Sequence, residues 1–208
     1  VKEYREAKTN ESNGTLVEFV PDETIFKNFH FISEYLDNQF WNYCYLNAGL
    51  VIDYNGKKYL SKNGLLDLLK RRTNEDELCY PIIHLKGDDI EVAITHNRDY
   101  GEEIFSFVNG QYTTQGGTHQ QAFRESFVKV VRDFYKKDYD AADIRQSITA
   151  AVSVRVVEPV FESQTKTKLG SQYVEEGGTS MKNFVHDFLA RELDNFLHKN
   201  PSIADAMK

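Results

Sequence analysis

The sequence predicts an α/β (α+β) fold: a mixed sheet with helices packed on at least one face. Three observations carry that reading. Residues 80–85, 90–95 and 104–108 are strand-like runs at turn-delimited spacing, which suggests an antiparallel meander with a polar outer face. A short helical pattern runs into residues 148–157, the longest β-branched run in the chain, and a helix feeding a buried strand is the grammar of a βαβ unit. Two long stretches, one after Thr118 and one after Ser180, carry apolar residues at steps of three and four, as helices covering a sheet do.

Taken in order, residues 1–14 are polar and without apolar period, an arm or loop. Residues 15–20 (TLVEFV) are β-branched and aromatic and are stopped by Pro21, so they read as a strand, although one with no local partner. From Ser33 to Leu46, the spacing of Tyr35, Leu36, Phe40, Tyr43 and Leu46 predicts an amphipathic helix with Ser33 placed to cap it. Residues 50–54 and 57–60 flank Asn55-Gly56, the pair that tolerates the positive φ of a type I′ hairpin turn. Ser61 is placed to cap a short helix through Leu65, Leu66, Leu68 and Leu69, ending in Lys70-Arg71-Arg72 beside its negative terminus.

After the expected meander, an irregular connection over residues 109–117 ends in Gly116-Gly117-Thr118-His119, with Thr118 placed as N-cap of a long helix striped by Phe123, Phe127, Val130, Val131 and Phe134. Two readings of its other face stay open: Glu125, Lys129, Arg132 and Lys136 make a solvated, internally paired surface, or a lining for nucleic acid. His119 reads as a local hydrogen-bonding residue rather than a base. Asp140 caps residues 141–146, residues 148–157 form the buried strand, and residues 161–170 follow as a loop. Gly177-Gly178-Thr179-Ser180 then breaks the chain before a last helix over residues 181–198, long enough to act as a strut.

Composition narrows the function classes. At 208 residues, 40% hydrophobic and 13% aromatic, the chain has material for a sizeable core. A net charge of -7 argues against a surface that embraces nucleic acid throughout, so any such contact is regional. The two cysteines, Cys44 and Cys79, have no metal-ligand spacing, which supports neither a zinc site nor a disulfide framework and fits a reducing, cytoplasmic home. No apolar run approaches the roughly 20 residues of a membrane helix. An opening Val1 suggests a piece of something longer.

Chemistry is sparse. There is no G-x-x-x-x-G-K-[ST], G-x-G-x-x-G, G-x-S-x-G or H-E-x-x-H motif, and the adjacent pairs Asp88-Asp89 and Glu102-Glu103 point apart on strands or turns. The loop over residues 161–170 is the exception. It sets the Gln164 amide and the Lys166 and Lys168 ammonium groups on alternating positions of a short tether, an arrangement suited to anionic oxygen. The competing reading is a solvated basic turn. On the first reading it is half a phosphate site, with the rest to come from another domain.

Four segments carry a family likeness: residues 45–50 (YLNAGL), 106–109 (SFVN), 116–119 (GGTH) and 164–166 (QTK). In order and approximate spacing they resemble the transducer domain of the ATPase subunit of bacterial type IIA DNA topoisomerases, the B-type subunit of topoisomerase IV or of DNA gyrase. The likeness covers nearly everything from residue 15 to residue 170. It implies a ribosomal-protein/GHMP-kinase-like transducer fold with a left-handed βαβ crossover and a long C-terminal helix. The implied boundaries are 1–22 for the edge of an ATP-binding domain, 23–180 for the transducer, and 181–208 for a helix leading to the DNA-cleavage core.

The resemblance also implies roles. Lys166 contacts the ATP γ-phosphate and Gln164 supports it, while Lys129, Arg132 and Lys136 become candidates for lining a DNA cavity. No complete catalytic set and no metal site are expected in this chain. ATP and Mg2+ are expected in the full-length protein and neither on this chain alone, which is expected to be inactive by itself. The implied partners are the protein's own N-terminal ATPase domain, the A-type topoisomerase subunit, duplex DNA and a second copy of the B-type subunit, with no membrane. General likeness leans towards topoisomerase IV, with gyrase as the alternative. From other classes, a small-molecule phosphotransferase of similar fold is disfavoured by the missing phosphate loop, and a passive nucleic-acid binder by the net charge.

Overall fold

The computed structural model describes residues 5–8, 10 and 13–208, and the chain divides into two units, Val1–Leu36 and Asp37–Lys208. In the first unit, the strand expected over residues 15–20 is absent, with Leu16 90% and Val20 89% exposed. Strand formation needs ladder partners for its backbone groups, and β-propensity alone does not supply them. Pro21 leads instead into a turn in which Asp22 accepts from the Thr24 N–H at 2.8 Å and its hydroxyl at 2.6 Å. Helix α1, Ser33–Leu46, has the expected span, but the Ile32 carbonyl accepts from the Tyr35 and Leu36 N–H groups. Ser33 therefore stands inside the first turn and does not cap it.

In the second unit, β1 (Val51–Tyr54) and β2 (Lys57–Leu60) form the expected hairpin. Its turn residues Asn55 and Gly56 both have positive φ, 51° and 81°, as a type I′ turn requires. The hairpin packs through Tyr54 and Tyr59 on Phe40 and Trp41. Asp37 accepts from Lys57 and from the Tyr59 hydroxyl at 2.8 Å, and the bond from Lys57 leads in holding its carboxyl below the usual range.

Helix α2, Leu65–Arg72, is not capped by Ser61. The hydroxyl of Ser61 accepts from Gly64 N and donates to Asp67, while the Leu65 N–H donates to the Glu91 carboxylate at 2.9 Å. A sheet residue remote in sequence thus does the capping.

The main sheet has five strands: β3 (Ile83–Lys86), β4 (Ile90–His96), β5 (Glu103–Val108), β6 (Gln111–Tyr112) and β7 (Ile148–Val154), in the order β3-β4-β7-β5-β6. The expected meander holds only for β3 and β4. Strand β7 inserts between β4 and β5, antiparallel to the first and parallel to the second. Its sequence, ITAAVSV, explains the choice: small and β-branched side chains suit a strand covered on both faces, and six of its seven residues are buried. For the same reason the meander's outer face is not polar, since β4 buries five of seven residues.

Alternation along these strands divides the core in two. Ala93, Phe105, Phe107 and Ala151 face Tyr45 and the leucines of α2. Val92, Ile94, Ala150, Val152 and Val154 face the cluster formed by α3 (Thr118–Tyr135) and α5 (Met181–Lys199). Between β5 and β7 the crossover runs through α3 and α4 (Ala141–Arg145), and Asp140 caps α4 as expected by accepting from the Ala142 N–H at 2.7 Å.

Helix α5 buries Met181, Val185, Phe188, Leu189, Leu193 and Leu197 within this unit and is followed by α6, Pro201–Met207, which the sequence pattern did not predict. On α3, Glu125 accepts from the Gln121 amide one turn back at 2.8 Å, but it makes its ion pair with another helix. It meets Lys182 of α5 at 2.9 Å.

Candidate functional site

Residues 161–170 lie beyond the end of β7 and form a small two-legged projection. An antiparallel bridge joins Phe161 to Leu169, and the Glu162 N–H donates to the Lys168 carbonyl at 3.0 Å. At the tip the Lys166 N–H donates to the Ser163 carbonyl at 3.1 Å, and the Ser163 and Thr165 hydroxyls lie 2.7 Å apart. Lys166 takes a positive φ of 56°, an uncommon conformation for a side chain of this type. Gln164, Thr165 and Lys166 are all exposed, and the Lys166 ammonium stands 5.9 Å from the Phe161 ring centre, free to reach outward. Lys168 points elsewhere and pairs with Glu162 at 3.0 Å. The amide and the first lysine thus share one tip, while the second lysine belongs to the stem.

The base of the projection is built differently. Leu169 is 1% exposed and sits against the Gly116–Gly117 turn, donating to the Gly116 carbonyl and accepting from the Thr118 N–H, both at 3.1 Å. A Cβ on Gly117 would fall 2.4 Å from the Leu169 carbonyl oxygen and 2.5 Å from its nitrogen, and φ there is 134°, so only glycine fits. Thr118 does not cap α3. Gly117 occupies that position, and the Thr118 hydroxyl donates instead to the Ser171 carbonyl at 2.6 Å, tying the helix start to the loop's exit.

Asn109 secures the strand end from which the loop departs. Its side chain accepts from the Val156 N–H and donates to the Val156 carbonyl, both at 2.8 Å, extending the ladder past β7. His119 is fully buried, with Nε2 3.1 Å from the Thr113 hydroxyl, and burial pulls its pKa from 6.5 to about 4. Leu169 and Thr113 were not legible as site residues in the sequence, and Asn109 stood out only as the end of the 106–109 segment, with no role assigned to it.

The basic residues of α3 are dispersed. Lys129 and Lys136 are exposed and take part in none of the ion pairs among the described residues, whereas Arg132 donates to the Tyr139 carbonyl at 2.8 Å and lies 3.3 Å from Asp138. No group of three or more His, Cys, Asp or Glu side chains is arranged to hold a metal ion among the described residues.

A family model described as DNA gyrase B matches residues 57–207, well over half of the chain. The chain belongs to the DNA gyrase B family. Among its relatives, the B-type subunit of DNA topoisomerase 4 from Borreliella burgdorferi is 47% identical over 169 residues, 81% of this chain and 28% of that protein. The B-type subunit of DNA gyrase from Helicobacter pylori strain J99 is 33% identical over 216 residues, 95% of this chain and 27% of that protein. The chain thus spans little more than a quarter of either relative's length.

In structure it resembles the 43K ATPase domain of Thermus thermophilus gyrase B, solved in complex with an aminocoumarin, with a TM-score of 0.69 and 27% identity over 90% of this chain and 54% of that one. The fold and family expected from the four motifs are those observed, and each of those motifs now has a place. Tyr45 packs under α2, Ser106 and Asn109 hold the end of β5, and the double glycine seats the base of the loop that carries Gln164 and Lys166.

Proposed function

We propose that this chain is the transducer region of the ATPase component of a type IIA DNA topoisomerase, sensing the ATP γ-phosphate and relaying its loss to DNA strand passage. The carrying observation is the contrast within one loop: an exposed Gln164–Lys166 tip on a buried, glycine-seated base. Lys166 meets the γ-phosphate and Gln164 supports that contact. The tip supplies donors and no carboxylates, so the nucleotide and Mg2+ are held by an ATP-binding region of the same polypeptide, for which residues 1–22 are the bordering edge. An ammonium–phosphate contact contributes about 2 kcal/mol, which biases an orientation equilibrium by a factor of roughly 30. Hydrolysis removes the contact and frees residues 23–180 to rotate against the ATP-binding region. Helix α3, which seats the loop base, passes the displacement to α5 along their shared core and through the Glu125–Lys182 pair, and residues 181–208 lead it towards the DNA-cleavage core.

The working assembly includes the A-type topoisomerase subunit, a second copy of the B-type one and duplex DNA, in the cytoplasm. Lys129 and Lys136, whose ammonium groups are uncommitted here, are the better candidates to face the DNA, with Arg132 partly engaged by its neighbours. The subtype we favour is topoisomerase IV, on the 47% identity to the Borreliella protein against 33% to the Helicobacter gyrase.

Protection of Lys166 from an amine-modifying reagent, read by mass spectrometry in the full-length protein, tests the sensor. A non-hydrolysable ATP analogue should protect Lys166 and ADP should not, while Lys129 labels equally with both. Equal labelling of Lys166 under the two nucleotides contradicts the proposal.

A further inference from the structure

One fully buried polar group beside the loop base has incomplete hydrogen bonding. His119 is 0% exposed, and its Nδ1 has no partner. Leaving a buried acceptor unpaired destabilises the fold, so something else must favour histidine at this place.

The state of the ring is assigned from the shortest contact that the Thr113 hydroxyl makes. Thr113 donates its hydroxyl hydrogen to the Ser106 carbonyl at 2.7 Å, while its backbone N–H donates to the same carbonyl at 2.9 Å. The Ser106 hydroxyl lies 2.8 Å from Thr113 Oγ1 and 3.1 Å from the Thr113 carbonyl, and with the Thr113 hydrogen on the Ser106 carbonyl it acts as the donor to one of them. With its hydrogen spent, Thr113 Oγ1 can only accept, so His119 is neutral with the hydrogen on Nε2 and a bare lone pair on Nδ1.

Thr113 and His119 are the two ends of a short span whose middle is Gly116 and Gly117. Glycine has the widest conformational freedom of any residue, and these two sit at φ 72° and 134°. Within that span the Gly116 carbonyl and the Thr118 N–H clasp Leu169, and the Gln115 N–H donates to the Thr167 carbonyl at 2.9 Å. The Gly116 N–H to Thr113 carbonyl bond at 2.9 Å is a link inside the turn itself, and the Ser106 hydroxyl makes a longer contact of 3.4 Å with the Gln120 side-chain oxygen. The His119 Nε2–H is what ties the first turn of α3 back to Thr113, which is itself bound to β5.

We propose that His119 is a positioning residue for the phosphate-sensing tip. By donating to Thr113 it sets the glycine socket that seats Leu169, and through Leu169 it sets the reach of Gln164 and Lys166. The proposal rests on the reading of Lys166 as the γ-phosphate contact, and it concerns the donor at Nε2 alone.

Two amide variants separate that donor from mere filling of the site. His119→Gln keeps an amide nitrogen near the place of Nε2; His119→Asn puts one near the place of Nδ1 and none at Nε2. In the 208-residue chain, amide hydrogen exchange at Gln115, Thr118 and Leu169 should speed up about tenfold or more in His119→Asn and stay within about threefold in His119→Gln, with β4 and β7 unchanged in both. In the full-length protein, His119→Asn should lower kcat for ATP about fivefold with KM within about twofold, should add nothing to Lys166→Ala, and should be rescued by His119→Gln.

Equal exchange in the two variants, acceleration spread over β4 and β7, or a kcat loss that simply multiplies with that of Lys166→Ala would overturn the positioning role. If Lys166→Ala alone left turnover intact, the phosphate reading would fail instead, and the exchange pattern would decide separately whether His119 sets the socket.

Discussion

The tip and the base of the loop over residues 161–170 are separated by two residues and differ in nearly everything physical. At the tip Gln164, Thr165 and Lys166 are exposed, and what holds their shape is a turn bond and a hydroxyl pair. At the base Leu169 is buried, clasped on both sides by backbone and seated against a glycine that no other residue can replace without a clash. The difference teaches where each kind of information sits. Contacts that confer stability lie at the base, the groups able to meet an anion lie at the tip, and a substitution should disturb one without the other.

The largest expected effect comes from breaking the base. Gly117→Ala forces a methyl into the Leu169 backbone at a positive φ, and chemical denaturation of the chain should show a loss of roughly 3 kcal/mol or more. Gly56→Ala is the control, since that glycine also has a positive φ but open space around it, and it should lose only about 1 kcal/mol. Comparable losses at the two sites would mean that the close approach at the base is unimportant.

Acidity should act on the base as well. Burial holds His119 near 4, against 6.5 when solvated, so between those values the unfolded chain binds a proton that the folded chain refuses. Stability from this group is complete above about pH 6.5 and drains as pH falls towards 4, to a total of about 3 kcal/mol. His96, also lowered by burial, adds with the same sign. Denaturation midpoints at about pH 7 and about pH 4.5 should show a smaller drop for His119→Gln than for the wild type. An unchanged drop would remove His119 as the source.

The smallest effect should come from the stem. Lys168 and Glu162 are both substantially exposed, and such pairs contribute about 0–1 kcal/mol, so Lys168→Ala should move the denaturation midpoint barely at all. A loss above about 2 kcal/mol would place the stem with the base and blur the division.

Much of this arrangement was legible in local sequence. The span of α1, the Asn55-Gly56 turn and the Asp140 cap follow from interactions within a few residues, and the structure has all three. Failures came where distant partners decide. Residues 15–20 and β7 have similar β-branched patterns, yet only β7 meets strands on both sides, and only β7 is a strand. The meander failed because β7, arriving about 40 residues after β5, displaced the expected neighbour of β4. Thr118 and Ser61 each had the right chemistry for a cap, but the loop exit at Ser171 and the carboxylate of Asp67 claimed their hydroxyls. At the candidate site the exposed polar tip could be read from residue types, whereas Leu169, Thr113 and Asn109 act through contacts made across 40 residues or more, or through a buried network that no spacing announces.

The central claim is that the tip senses phosphate while contributing little to the fold. Its most direct test is Lys166→Ala in the full-length protein, with ATP turnover and melting temperature measured on the same preparation. Turnover should fall at least about tenfold, the equivalent of roughly 1.4 kcal/mol in the barrier, while the melting temperature stays within about one degree. Turnover within about twofold of wild type would contradict the claim.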